Sequence, residues 1–325
     1  MTLLNRSIVA GIGSYLPEKV LTNDDLARMV DTSDEWIRKR TGIERRHIAA
    51  EGELTSDLAV KAALAALEHA GAGPDDVDLI ILATTVPDNT FPATAARVQA
   101  KLGVTRGPAF DVQAVCAGFI YALSIADNML KLGQARSALV IGAEVYSRIL
   151  DWSDRSTCVL FGDGAGAMFL RAVPPDEVNG RGILSTHLWT NGSHYDALYV
   201  DGGPSTTQTA GHVQMQGQEV YRGAVKLMAD AVEVGLAANG MTTEDLDWLV
   251  PHQANVRIID SVGTRLGIGA DRTIVTVAEH ANTSAATIPL ALDIGSRDQR
   301  IQTGDLIALT ALGGGFSWGS AILRW

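Results

Sequence analysis

Gly71-Ala72-Gly73-Pro74-Asp75-Asp76-Val77-Asp78-Leu79-Ile80-Ile81 aligns without a gap on Gly240-Met241-Thr242-Thr243-Glu244-Asp245-Leu246-Asp247-Trp248-Leu249-Val250. Each stretch is an acidic turn that runs into apolar residues. Further on, Lys101-Leu102-Gly103-Val104 matches Arg265-Leu266-Gly267-Ile268, and Ala167-Met168-Phe169-Leu170-Arg171 matches Ser320-Ala321-Ile322-Leu323-Arg324. A period near half the chain is too long for a solenoid. It describes one unit used twice, over 1–174 and 175–325, with the seam near Val173-Pro174-Pro175-Asp176. Within the units, Leu79–Thr85, Ala138–Gly142 and Leu306–Thr310 are continuous apolar runs that read as buried strands. The Ala-rich segments Leu58–His69 and Phe119–Leu132 read as helices by propensity. Strands alternating with amphipathic helices predict α/β layers, with helices covering the sheet faces.

Composition narrows the class. The 325 residues are 46% hydrophobic and 19% charged, which excludes disorder. The 33 glycines and 10 prolines follow no period, so collagen-like and low-complexity designs are also excluded. The formal charge of −11 makes nucleic acid an unsuitable main partner, and an anionic ligand must meet a local basic patch. Two cysteines, Cys116 and Cys158, cannot form a disulfide framework in a chain of this length. Free thiols point to a reducing compartment. Met1-Thr2-Leu3-Leu4-Asn5-Arg6 lacks a secretory profile, and no apolar run reaches the ~18 residues of a membrane helix. The expectation is a soluble, cytoplasmic protein without a membrane role.

The duplication carries a chemical expectation. Phe110-Asp111-Val112-Gln113-Ala114-Val115-Cys116 aligns on Thr276-Val277-Ala278-Glu279-His280-Ala281-Asn282. Cys116 and Asn282 then occupy equivalent places, each after a strand and before an Ala-rich helix. Pseudo-twofold packing brings them together between the halves, where small-molecule sites are found. A thiol at a helix N-terminus faces free N–H groups and the positive dipole end, which favour the thiolate. Its apolar surroundings suit an acyl chain, although a buried cysteine is also a common small hydrophobe. Cys158 reads as a structural residue inside a strand. His252 directly follows the run Trp248–Pro251, at the strand end where open α/β sheets bind ligands. His280 reads as a turn residue, and the other histidines carry no assigned role. Gly313-Gly314-Gly315 reads as a turn whose backbone approaches a ligand and points N–H groups at a developing oxyanion.

Three patterns mislead. The Cys116-to-His252 spacing falls in the papain-like range, but the signature around that family's cysteine is missing. Gly315-Phe316-Ser317-Trp318-Gly319 satisfies the serine-hydrolase elbow, yet the acid and histidine that must follow it have no chain left to occupy. Gly11-Ile12-Gly13-Ser14-Tyr15-Leu16 lacks the last glycine of a dinucleotide loop.

Taken in order, the blocks resemble the β-ketoacyl-acyl-carrier-protein synthase III family of the thiolase superfamily. The resemblance runs from Val9-Ala10-Gly11-Ile12-Gly13-Ser14-Tyr15-Leu16-Pro17 to the last residue. It is carried by Thr32-Ser33-Asp34-Glu35-Trp36-Ile37, Thr41-Gly42-Ile43, the Cys116 segment, Phe161-Gly162-Asp163-Gly164-Ala165-Gly166-Ala167, Pro251-His252-Gln253-Ala254-Asn255, Asn282-Thr283-Ser284-Ala285-Ala286 and Gly313–Gly319.

It implies a homodimer of duplicated, thiolase-like, five-layered α-β-α-β-α subunits. It also implies a ping-pong condensation of a short acyl-CoA, with acetyl-CoA the favoured donor, and malonyl-acyl-carrier-protein. The products are 3-ketoacyl-acyl-carrier-protein, CoA and CO2, at the start of type II fatty acid synthesis. Cys116 is the implied nucleophile, with His252 and Asn282 as donors in the decarboxylation half. The N–H groups of Cys116 and Gly314 form the implied oxyanion hole. Trp36, Arg40, Arg155 and Asn255 match CoA contacts, with the adenine between Trp36 and Arg155. Arg222, Arg257 and Arg265 match a carrier-protein docking patch, and Phe91 matches a residue that crosses the dimer to limit the acyl pocket. No metal or redox cofactor is implied. Leu312 departs from the phenylalanine often found there, which leaves the exact pocket shape, and hence the primer, open. Two other readings share some features. One is a ketosynthase of secondary metabolism with another acyl donor or acceptor; the other is a non-catalytic carrier-protein-binding subunit, whose mark would be loss of Cys116.

Overall fold

The computed structural model describes residues 4–325; Met1, Thr2 and Leu3, which entered the expectation about a leader, lie outside the described residues. The acidic turns of the repeat fold alike. Asp76 Oδ2 accepts from the Gly73 N–H at 2.9 Å, and at the aligned positions Asp245 Oδ2 accepts from the Thr242 N–H at 2.8 Å. The next aligned pair does the same work across the sheet. Asp78 accepts from the Arg136 N–H at 3.2 Å, and Asp247 accepts from the Leu306 N–H at 2.7 Å. A short carboxylate that closes its own turn is a local device, so the same sequence makes the same turn twice.

In chain order the strands are β1 (Arg6–Tyr15), β2 (Lys19–Thr22), β3 (Arg45–Ile48), β4 (Ile80–Ala83), β5 (Ala109–Val112), β6 (Ser137–Glu144), β7 (Gly164–Val173), β8 (Gly182–Thr190), β9 (Leu198–Val200), β10 (Val213–Met215), β11 (Trp248–Pro251), β12 (Leu306–Gly313) and β13 (Ser317–Arg324). The helices are α1 (Asn23–Ala27), α2 (Asp34–Thr41), α3 (Thr55–His69), α4 (Thr94–Leu102), α5 (Gly118–Lys131), α6 (Gly217–Ala238), α7 (Val256–Leu266), α8 (Val277–His280) and α9 (Thr287–Arg297). One sheet has the order β1-β7-β6-β4-β5 and the other the order β11-β12-β13-β8. The one-turn helix Pro175–Glu177 lies between β7 of the first sheet and β8 of the second. In the first sheet β4 runs parallel to both β5 and β6, while β7 is antiparallel to β6 and β1. In the second, β11 and β12 are parallel and the remaining pairs antiparallel.

Burial follows from this layering. Every residue of β4, β6 and β12 is buried, as expected for strands covered on both faces. Residues of α5 and α9 share one apolar cluster with residues of both sheets, so these helices form the middle layer. Their sequences are accordingly apolar almost all round: Thr287 to Asp293 of α9 are buried without a break. α3 and α4 cover the outer face of the first sheet, and α6 and α7 that of the second. The result is the five-layered α-β-α-β-α arrangement that the family resemblance implied. Among the described residues, no helix is long and apolar enough to cross a membrane.

Two local expectations differ from what is seen. The stretch before Asn282 is not a strand; residues Val277–His280 form the short helix α8, and beside β11, where the first sheet has β5 beside β4, there is a single parallel bridge between Leu249 and Thr273. Val277 and Ala281 are instead buried together in a cluster with Leu26, Ile37, Cys158 and Ile259. Cys158 is buried as expected, but in a turn rather than a strand.

Candidate active site

Cys116 lies in a one-turn 3-10 helix, Val115–Ala117, that runs straight into α5. Val115, just before it, has a φ of 50°, a left-handed conformation that costs a β-branched residue of the order of 1–3 kcal/mol. Ala281 (φ 57°) and Ser284 (φ 50°) share this rare conformation around Asn282. Val115 precedes Cys116, and Ala281 and Ser284 flank Asn282, so the backbone beside both is held in place by its surroundings. Asn282 is clamped by its main chain: its N–H donates to Leu160 O and its carbonyl accepts from the Gly162 N–H, both at 3.0 Å.

The stretch 282–287 gathers the site. Asn282 Oδ1 accepts from the Ser284 N–H at 2.9 Å, which leaves the two amide protons on Nδ2 to face outward. His252, directly after β11, contacts Thr287 Oγ1 through Nδ1 at 2.7 Å, and its own N–H donates to Thr310 O at 2.8 Å. The single Thr287 hydroxyl proton goes either to Ser284 O, 3.1 Å away, or to His252 Nδ1; in the second arrangement Nδ1 is the acceptor and the ring proton resides on Nε2. Burial pushes the His252 imidazole down to about 3, so the ring is neutral at physiological pH. The Ser284 hydroxyl lies beside the Cys116 sulfur and beside the Glu144 carboxyl, well aligned on neither. Cys116 and Asn282 thus meet at Ser284, and His252 joins through Thr287, whose hydroxyl is 3.1 Å from Ser284 O.

The electrostatics of the thiol differ from the expectation of a dipole-stabilised thiolate. Burial pushes Cys116 up to about 12, against a smaller opposing contribution from the Ser284 hydroxyl, and the Glu144 carboxylate adds to the rise. A thiolate removed from water loses more solvation than a helix end restores, because the dipole is worth only about 0.3–2 kcal/mol. Cys116 is therefore a thiol at neutral pH.

The glycine turn is a matter of backbone contact. A Cβ on Gly313 would lie 2.7 Å from the Cys116 nitrogen and 2.8 Å from Ala114 O, neither of which can swing aside. The last residue of β12 thus touches the peptide of Cys116 itself. Gly313→Ala is expected to cost about 1–3 kcal/mol of stability and to slow loading of Cys116. A thermal melt and an acyl-enzyme time course check this, and wild-type values in both would refute it. On β6, a Cβ at Gly142 would lie 2.2 Å from Ala285 O, so glycine there lets the 282–287 stretch reach the sheet.

The remaining expected residues form two groups. Trp36 of α2 is flanked by the guanidinium of Arg40 at 4.5 Å and that of Arg155 at 5.4 Å from the ring centre. The motif Thr32–Ile37 is the start of α2, with Ser33 Oγ accepting from the Trp36 N–H at 3.2 Å. A purine stacked between ring and guanidinium needs about 7 Å, twice a van der Waals contact. Arg155, which also donates to Asp31 O at 2.8 Å, must therefore swing out to admit one. Asn255 caps α7, accepting from the Ile258 N–H at 3.0 Å. Arg222, Arg257 and Arg265 are exposed on the neighbouring helices α6 and α7. Arg257 lies 5.9 Å from the Tyr221 ring, next to Arg222, and Arg265 pairs with Asp230 at 2.9 Å. Phe91 is 82% exposed, far from Cys116 in burial and apolar enough to call for a cover. Leu312 is buried with Met228 and Phe316 in the cluster beneath α6.

Glu144, Ser284 and Thr287 were not singled out from the sequence. Glu144 left one signal: a carboxylate closing the otherwise apolar run Ala138–Ala143, at the end of a parallel strand. Ser284 and Thr287 left none, since hydroxyl residues at a helix start read as ordinary caps.

The layered fold, with its cysteine at the head of a central helix and a neutral histidine and an asparagine from the other half, defines a thiolase-fold condensing enzyme. Family models described as 3-oxoacyl-[acyl-carrier-protein (ACP)] synthase III and its C-terminal part match residues 110–192 and 236–325. A β-ketoacyl-[acyl-carrier-protein] synthase III of Rhodospirillum centenum is 63% identical, over 98% of this chain and 99% of its own. The crystal structure of 3-oxoacyl-[acyl-carrier-protein] synthase III from Aquifex aeolicus superposes with a TM-score of 0.93 at 44% identity, covering 98% of this chain and 100% of that one. The priming β-ketosynthase of the R1128 polyketide pathway has a TM-score of 0.91 at 34% identity, over 100% of this chain and 98% of its own. The chain belongs to the β-ketoacyl-acyl-carrier-protein synthase III family. It is an acyl-transferring condensing enzyme of fatty acid synthesis.

Proposed function

We propose that the protein works by a ping-pong cycle on Cys116, with a short acyl-CoA, acetyl-CoA first among them, as donor and malonyl-acyl-carrier-protein as acceptor. The sulfur attacks the thioester carbonyl, and the N–H groups of Cys116 and Gly314 hold the oxyanion. CoA leaves and the malonyl thioester takes its place. His252 Nε2–H and Asn282 Nδ2–H bond the thioester oxygen as CO2 departs and enolate charge gathers there. Uncharged donors suit this step, because a fixed cation would hold the malonyl carboxylate in place. The carbanion then attacks the acyl group on Cys116 and releases 3-ketoacyl-acyl-carrier-protein. Neither a metal nor a redox cofactor enters these steps.

The observation that carries this reading is the convergence of Cys116, His252 and Asn282 on the stretch 282–287, with His252 neutral. The pairing of Trp36 with two guanidiniums supports an adenine site for CoA beside Arg40, Arg155 and Asn255. Arg222, Arg257 and Arg265 supply a basic face for an acidic carrier protein on a chain of net charge −11. Phe91, with 82% of its surface exposed, is accounted for by a homodimer in which it enters the partner's acyl pocket. The two halves, 1–174 and 175–325, act as one duplicated unit in the cytoplasm. The secondary-metabolism reading is less favoured, since the polyketide enzyme is 34% identical and the β-ketoacyl synthase of R. centenum 63%.

The test is a competition among acetyl-, isobutyryl- and octanoyl-CoA, followed by peptide mapping. The acetyl group is expected on Cys116 in excess. A label on any other residue refutes the mechanism, and a majority of octanoyl refutes the primer.

A further inference from the structure

The thiol of Cys116 has to lose its proton before it can attack, and its surroundings do not help it do so alone. His252 is too weakly basic to take that proton, since burial holds its imidazole at about 3. A second acid–base group, a carboxyl, acts on the sulfur. Glu144 ends β6, fully buried, with its carboxyl oxygens accepting from Thr84 Oγ1 at 3.1 Å and from the Thr85 N–H and hydroxyl at 3.0 Å. Ser284 lies between the two. Its hydroxyl is fully buried, adjoins both the sulfur and the carboxyl, and has no aligned partner in the resting arrangement. The left-handed backbone at Ser284 and the bare Gly142 on β6 are what bring it there.

We propose that Glu144 is the base for the acylation half-reaction and receives the Cys116 proton through the hydroxyl of Ser284. The thiol proton passes to Ser284 Oγ as the serine's own proton passes to the Glu144 carboxylate. The freed sulfur pair forms the new bond to the acyl carbon. On collapse of the tetrahedral adduct the carbon–sulfur bond to CoA breaks. The leaving thiolate takes the proton back from Glu144 by the same route, so the products are acyl-Cys116 and CoA–SH. Ser284 touches the reacting sulfur; Glu144 acts through it.

Burial lifts Glu144 to about 7, against the opposing bonds from Thr85, Ser284 and Thr84. A base matched to the working pH exchanges protons in both directions with little penalty. The other titratable groups facing it are Cys116 and Tyr146, and burial raises the Tyr146 phenol well above its usual value, so it stays neutral.

This inference rests on Cys116 as the acyl acceptor, and the experiment separates the two. Single-turnover acetylation by acetyl-CoA is followed by intact mass and peptide mapping from pH 5 to 10 in wild type, Glu144→Gln and Ser284→Ala. Wild type is expected to show a rate rising through one ionisation near pH 7. Both variants should acetylate Cys116 about 100-fold or more slowly at pH 7. They should lose the ionisation near 7 and recover with alkali as hydroxide makes the thiolate. Ser284→Ala keeps the carboxyl in place and decides the matter if Glu144→Gln does not fold. A folded Ser284→Ala enzyme with the wild-type rate and pH profile overturns the relay. Acetyl found away from Cys116 overturns the parent mechanism instead.

Discussion

Cys116→Ser is expected to form no acyl-enzyme from acetyl-CoA and to lose condensation by at least about a thousandfold, the scale on which removing a nucleophile acts. A serine hydroxyl has a far higher pKa than a thiol, and it would lie in a place that already pushes the thiol up to about 12. The substitution hardly changes volume, and Cys116 is buried in a rigid 3-10 turn, so the fold should be retained. Stopped-flow release of CoA and intact mass measure the loss. An acyl adduct on the variant at the wild-type rate would dismiss Cys116 as nucleophile.

His252→Ala should separate the two halves of the cycle. The imidazole is neutral and held by Thr287, away from any role in making the thiolate, so acetylation of Cys116 should stay within about threefold of wild type. Condensation with malonyl-acyl-carrier-protein should fall about 100- to 1000-fold, the effect of removing one donor from an oxyanion site. In the proposed cycle the separation follows from differential binding: His252 acts where enolate charge appears, and no enolate forms during acylation. Burst amplitude measured against steady-state turnover reads both steps. If acetylation collapses with condensation while the melting temperature is unchanged, the assigned roles are wrong.

Particular residues show how much of this was legible. The turn residues Asp76 and Asp245 act through bonds three positions away, and Asp78 and Asp247 through the adjoining strand, so the duplicated pattern in the chain reappears as duplicated turns. The strands Ile80–Ala83, Ser137–Glu144 and Leu306–Gly313 lie where apolar runs placed them, because a strand covered on both faces must be apolar throughout. The block Thr32–Ile37 entered only through the family resemblance, and its cap at Ser33 emerges in the structure. The short helix before Asn282 was not legible, since strand or helix there depends on which distant side chains Val277 and Ala281 pack against.

The site divides along the same line. That Cys116, His252 and Asn282 gather in one place was legible from the alignment of the halves and the family resemblance, and for His252 also from its strand end. Their chemistry was not. Whether a helix-start cysteine is a thiolate depends on how completely water is removed, and the helix dipole visible in the chain is the smaller effect here. Glu144 and Ser284 lie 140 positions apart in sequence and meet only because Gly142 lets one loop press on the sheet. The chain by itself determined the paired turns and the buried strands, since those follow from patterns within a few residues. The folded molecule alone decided protonation and proximity, because solvation and contact are set by everything that packs around a group, however far away it lies along the chain.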